Sequence, residues 1–264
     1  MNGLDIIIGV IFVIVGICFA SFSNVLIYRL PNHMSLIKPN SHCPNCDHEL
    51  SWYENIPIFS YIFLKGKCKN CHKPISPRYL IVEILGGVFS LLAYLRFGLS
   101  VDGVVAAISL ILLMAIGLID FEHMEIPLSS KAALSAFSRE AKPLNAQFLR
   151  RSIYDYIPYL IGFGAFLAFF LLMYFIPVIF LKKEGFGLGD VILFSIAGLY
   201  LNWAGGFLVI LFGSIICSII MIILIKLKKI SQEQPMGFGP YISLVFMIMI
   251  FFEKDFLSFI TSLL

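Results

Sequence analysis

Residues 101–120 read VDGVVAAISLILLMAIGLID. From Val101 to Ile119 this is an apolar run of membrane-spanning length, close to the roughly 20 residues a helix needs to cross a hydrocarbon core. It ends on a carboxylate, Asp120. A carboxylate at the centre of a membrane helix costs about 2.5–3.5 kcal/mol on insertion scales, so it faces protein or water and usually has a function. A second acid, Asp190, closes Gly185-Phe186-Gly187-Leu188-Gly189-Asp190 at the edge of another apolar run. Two carboxylates that meet can share one proton, as aspartic proteases require.

Composition fixes the setting. The chain is 59% hydrophobic and 13% charged, against about 25% charged in soluble domains. With a mean hydropathy of +0.94, it reads as an all-α polytopic membrane protein. The net charge of +3 is small, and no basic face with interleaved aromatics supports nucleic-acid binding. The amino terminus does not read as a cleavable signal: it lacks a basic leader, carries Asp5 and shows no small-residue cleavage pattern.

Apolar runs place spans near Leu4–Tyr28, Leu80–Phe97, Val101–Ile119, Tyr156–Leu181, Val191–Trp203, Gly206–Ile225 and Tyr241–Leu263, or about seven to eight transmembrane helices. Three regions follow: a first helix over 1–28, a polar domain over 29–79, and a helical membrane domain over 80–264. Arg29, Lys38, Lys65, Lys67, Lys69, Lys73 and Arg78 put the polar domain in the cytoplasm and the amino terminus outside. Lys182, Lys183, Lys226, Lys228 and Lys229 mark further cytoplasmic ends. Asp120 also falls on that side. A meeting with Asp190 then needs an even number of crossings between them, and only one clear span lies there. The segment Leu128–Ser152 would have to supply the other as a shielded or irregular crossing, although Lys131, Arg139, Glu140, Lys142, Arg150 and Arg151 make it atypically polar.

The polar domain carries Cys43-Pro44-Asn45-Cys46 and Cys68-Lys69-Asn70-Cys71, two CxxC pairs separated by 21 residues. Each pair can present two thiolates from one turn, and two such turns close a tetrahedral zinc site. Disulfides are the competing reading, disfavoured by the reducing cytoplasm. Four sulfur ligands leave no open position, so the zinc would be structural. In a domain this small the metal would supply much of the folding energy. His42, His48 and His72 stand beside the cysteines as spare ligands. Cys18 and Cys217, inside apolar runs, read as small core hydrophobes.

Each aspartate has a plainer reading. Asp120 could cap a helix or pair with a basic group at the interface, and Asp190 could be the N-cap of the next helix. The glycines before Asp190 favour function, because they let backbone approach closely and hold the carboxylate at a helix break. Glu122, His123 and Glu125 belong to a polar loop. Glu83, early in its span, reads as a partner of Arg78 or of a neighbouring helix.

Taken together the chain resembles the type IV prepilin peptidases, a family of intramembrane aspartic peptidases. Ala20-Ser21-Phe22-Ser23-Asn24-Val25-Leu26-Ile27-Tyr28-Arg29-Leu30-Pro31 resembles the family's first-span signature, with Ala20 where glycine is common. Trp52-Tyr53-Glu54-Asn55-Ile56-Pro57 between the CxxC pairs, and Pro74-Ile75-Ser76-Pro77-Arg78-Tyr79 after them, also match. Asp120 with Ile126-Pro127 fits the first catalytic motif. Gly187-Leu188-Gly189-Asp190 fits the GxGD motif, although Ile192 stands where a lysine often follows. Gly237-Phe238-Gly239-Pro240-Tyr241 matches the start of the last span.

The resemblance implies a multi-pass enzyme of the bacterial inner membrane, surrounded by lipid. It would cleave the leader of type IV prepilins or pseudopilins on the cytoplasmic side, with Asp120 and Asp190 catalytic. It implies further that the new amino terminus is methylated with S-adenosyl-L-methionine, supported by the loop positions Gly66 and Lys67. No glycine-rich dinucleotide fingerprint is present from which cofactor binding could be derived. Two other classes remain as alternatives: a catalytically inactive scaffold that binds pilin precursors, and a transporter with a zinc-stabilised domain.

Overall fold

The computed structural model describes residues 2–123, 157–182, 187–228 and 237–263. Within these, seven helices follow one another: α1 (Gly3–Arg29), α2 (Phe59–Phe63), α3 (Pro77–Phe97), α4 (Val101–His123), α5 (Ile157–Leu181), α6 (Leu188–Lys226) and α7 (Gly239–Leu263), with a 3-10 turn at Trp52–Asn55. No strand occurs among the described residues, only the isolated bridges His42↔Glu49 and Lys67↔Pro74. Five helices, α1 and α3 to α6, are long and apolar enough to cross a membrane, and Gly239–Phe252 forms a shorter apolar stretch. The polar segment Leu128–Ser152 lies outside the described residues. The chain divides into two compact units, Met1–Ile111 and Leu112–Leu264.

In the first unit α1 and α3 run antiparallel and very close. Gly9 lies beside Tyr94, Gly16 beside Ser90 and Gly86, Ala20 beside Gly86, and Gly87 beside Ile17. Further along, the Asn24 amide donates to the Tyr79 carbonyl at 3.2 Å. Lipid is as apolar as leucine, so membrane helices gain little by burying large hydrophobes and associate instead through small residues that bring backbones together. The outer face of α1, including Leu4, Ile7, Val10, Ile11 and Ile14, is left exposed. Arg29 has a structural use that its charge alone did not reveal. It is buried, and its guanidinium donates to the carbonyls of Ser35 at 2.9 Å and Pro39 at 2.6 Å, holding the chain that leaves α1.

The second unit is organised by α6. A straight helix of 39 residues would be about 58 Å long, nearly twice the hydrocarbon thickness of about 30 Å. The chain avoids this by breaking at Asn202, which has φ 62 and ψ −177. Asparagine is among the few non-glycine residues enriched at positive φ. Its Oδ1 also accepts from the N–H groups of Ala204 at 2.8 Å and Gly205 at 3.3 Å, capping the arm that follows. The reversal is tight: a Cβ built on Gly206 would lie 2.8 Å from the Gly198 Cα. Gly162 of α5 enters the same contact, where a Cβ would lie 2.8 Å from both the Gly198 carbonyl oxygen and the Trp203 nitrogen. Phe170 of α5 stacks on the fully buried Phe194 at 4.3 Å. The runs expected as Val191–Trp203 and Gly206–Ile225 are the two arms of this one broken element.

Asn202→Ala should destabilise the second unit by about 1–2 kcal/mol, because it removes the cap and retains the unfavourable φ. Asn202→Gly should lose only a few tenths, since glycine accepts the dihedral. Thermal unfolding in detergent checks both points: equal losses for the two variants would contradict the demand for positive φ, and no loss in Asn202→Ala would contradict the capping role.

Candidate active site and metal centre

Asp120 sits in the last turn of α4, 4% exposed. Its Oδ2 accepts from the backbone N–H of Gly239 at 2.9 Å, the first residue of α7. One turn earlier on the same face, Gly117 packs against Ser243 (3.3 Å) and the Pro240 Cα (3.5 Å) for a built Cβ. The end of α4 is thus seated on the start of α7.

Asp190 is 9% exposed in the first turn of α6. The N-cap is Gly187, not Asp190, so the plain capping reading of the sequence does not hold. Asp190 lies three residues inside the helix, its N–H donating to the Gly187 carbonyl at 3.0 Å. A Cβ on Gly187 would stand 3.2 Å from its Oδ2. An acid in a first turn is favoured by the helix dipole.

Cys217, expected as a small core hydrophobe, is buried on the second arm of α6. Cys18, by contrast, is exposed on α1 rather than part of a core. Glu122 and His123 are exposed but belong to the last turn of α4 rather than to a loop. Glu125 lies outside the described residues.

In the first unit the four cysteines converge. Their sulfurs all lie within 4.8 Å of one another. Cys43 and Cys71 are 3.9 Å apart, as are Cys46 and Cys68. A tetrahedral site with bonds of about 2.3 Å has edges of about 3.8 Å, so the sulfurs already stand at zinc spacing. A disulfide would need about 2.05 Å, and all four are free thiols. The two halves are near copies. Cys43 N–H donates to the His48 carbonyl and Cys68 N–H to that of Lys73. Asp47 N–H donates to the Cys43 carbonyl and His72 N–H to that of Cys68. Asp47 (φ 54) and His72 (φ 56) make the same left-handed turn. This internal repeat of two knuckles extends beyond the CxxC spacing that revealed it.

The environment separates the thiols. Backbone N–H groups of Cys71 and Asn70 hold Cys68 down at about 6, whereas burial pushes Cys43 up to about 11. None of the three neighbouring histidines is needed as a ligand. His48 instead stands 3.3 Å from the Glu54 carboxylate, which also accepts from the Ser51 N–H at 2.8 Å. Burial raises the Glu54 pKa, but these donors outweigh it and hold the group below its usual range. That stabilisation is present above the unfolded pKa and is lost as pH falls through the lower folded value. Glu83 is buried, and it accepts from the Ile58 N–H at 2.7 Å; it anchors the loop between the two knuckles to α3. Gly66 has φ 67 and lies against the Tyr61 ring. Lys67 is exposed in the bridge to Pro74.

The comparisons with known proteins agree with this layout. Residues 14–97 match the bacterial peptidase A24 N-terminal domain, and residues 107–222 match the type IV leader peptidase family. A prepilin leader peptidase/N-methyltransferase of Myxococcus xanthus is 32% identical over 237 residues, covering 86% of this chain and 68% of the relative. Proteins of the same name from Stutzerimonas stutzeri and Pseudomonas aeruginosa are 29% identical, covering 88% of this chain and 86% of each relative. No solved structure matches. The chain belongs to the type IV leader peptidase family.

A structural metal should be measurable. We expect about one zinc per chain, with Cys43→Ser or Cys71→Ser lowering both zinc content and the protease resistance of residues 29–79. Ligand thiols must be deprotonated, so zinc retention should weaken as pH falls from about 8 to 5.5 in the presence of a chelator. Full zinc after loss of two cysteines would contradict a four-sulfur site.

Proposed function

We propose that this protein is an intramembrane aspartic endopeptidase that removes the leader of type IV prepilins or pseudopilins. The observation that carries the reading is that Asp120 and Asp190 are both buried within one compact unit, each in a terminal turn of a long apolar helix. One aspartate, ionised, takes a proton from water as it attacks the scissile carbonyl. The other, protonated, polarises that carbonyl and then protonates the leaving amine. The pair titrates as a unit.

The topology proposed with it has about eight crossings: seven from the described helices, counting the arms of α6 separately, and the one expected of Leu128–Ser152, which lies outside the described residues. The amino terminus is outside, and the cysteine domain and both carboxylates are on the cytoplasmic side, following the lysine-rich loops. The metal held by Cys43, Cys46, Cys68 and Cys71 is zinc, serving only to fold the domain. We propose further that the new amino terminus is methylated from S-adenosyl-L-methionine. The relatives' printed name supports this activity, and Gly66 and Lys67 are the positions assigned to it.

Asp120→Asn and Asp190→Asn should each abolish cleavage with little loss of folded protein. Asparagine keeps the size and an acceptor oxygen but cannot exchange the proton, and general acid–base catalysis alone is worth about 10²–10⁴-fold. Glu83→Gln and Glu122→Gln should be far milder. The assay is incubation of detergent-purified protein with a prepilin, with mass analysis of the product's amino terminus. A fully active Asp190→Asn variant would sink the mechanism.

Lys67→Ala should reduce methyl transfer and leave cleavage nearly intact. Radiolabelled methyl groups that never reach a cleaved substrate, even with the unaltered protein, would make the chain a peptidase only.

A further inference from the structure

At the start of helix α7 a backbone N–H is met from far away in sequence. The residue before Gly239 is Phe238, which offers no side-chain acceptor, and the orphan N–H of Gly239 is answered instead by Asp120, 119 positions away in sequence. The turn before the helix is closed around the same carboxylate. A Cβ on Gly239 would lie 2.7 Å from the Asp120 Oδ2 and 2.8 Å from its Cβ and Cγ. A Cβ on Gly237 would lie 2.8 Å from its Cγ, 3.1 Å from its Oδ1, and closer still to Oδ2. Neither glycine is among those with positive φ. Their backbones could be adopted by alanine, so it is the space occupied by Asp120 that excludes a side chain.

From this geometry we infer that the Gly237-Phe238-Gly239 turn is a positioning element for the catalytic Asp120. It fixes the carboxylate by one N–H···Oδ2 bond and by two walls of bare backbone. The inference rests on Asp120 being catalytic, as proposed above. The arrangement is suited to the task, because a backbone N–H at a helix start has no rotamer to change and its partial positive charge faces the carboxylate. A side chain performing the same task would have to be ordered first. Gly117 against Pro240 and Ser243 sets the register in which the two helix ends meet.

Gly237→Ala and Gly239→Ala should each lower kcat about 100-fold or more, the loss expected of a misplacement near 1 Å. KM should stay within about twofold, because an interaction made for the transition state leaves ground-state binding in place. Gly164→Ala on α5, where nothing lies within 4 Å of the new Cβ, is the control and should keep normal kcat. Either substituted turn retaining normal kcat would overturn the inference, as would a loss confined to KM. If Asp120→Asn itself remains active, the catalytic reading fails, not the positioning inference alone.

A measurement that leaves the glycines intact covers the case in which those variants do not fold. In protein labelled with 15N-glycine, Asp120→Ala should shift the Gly239 amide resonance markedly, while the Gly164→Ala control should leave it nearly in place. An unmoved Gly239 amide in Asp120→Ala would overturn the inference.

Discussion

In hydrocarbon no water is present to satisfy a backbone N–H or C=O, and each one left open costs several kcal/mol. Much of the polar design of this protein follows from that constraint. At helix ends, where backbone groups lose their internal partners, side chains reach across from elsewhere to meet them. Asp120 receives the first N–H of α7. Asn202 receives two N–H groups of the second arm of α6. Outside the apolar spans, in the polar domain, Glu83 receives the N–H of Ile58 and Arg29 serves the carbonyls of Ser35 and Pro39. Each of these residues looks, from its charge or polarity, like a topological signal or a candidate catalyst. Three of the four have a structural use, and Asp120 combines one with its proposed chemical role.

Glycine provides the complement to this arrangement. Gly162, Gly198 and Gly206 meet at the reversal of α6, Gly237 and Gly239 lie against the carboxylate, and Gly117 packs on Pro240 and Ser243. Packing through small residues is the usual basis of helix association in lipid. Here it has a chemical consequence, because the space left by missing side chains is what allows a carboxylate to be enclosed by backbone.

The cysteine domain solves a different problem. It has few residues from which to build a core, and many of its large apolar groups, including Trp52, Phe59 and Phe63, are exposed. Order comes instead from two matching knuckles that aim four sulfurs at one point. Glu54 and Glu83 then fasten the loop between the knuckles. Glu54 is a reminder that burial does not by itself decide ionisation: donated hydrogen bonds keep the group charged against its desolvation.

The sequence by itself indicated the membrane class, the approximate places of the long helices, the four cysteines that could hold a metal and the two acids to examine. These are local quantities: run length, CxxC spacing, and a charge within an apolar stretch. Tertiary structure decided what each polar residue touches. Of the partners expected for Glu83, Arg78 or a neighbouring helix, the structure shows the amide of Ile58 at the start of α2, and Asp190 lies inside its helix rather than capping it. The tight reversal at Asn202 and the enclosure of Asp120 by Gly237 and Gly239 had no local signature. The physical reason is that a hydrogen bond or a close backbone approach between residues far apart in sequence depends on how helices pack. Hydropathy and spacing report only what lies within one helix.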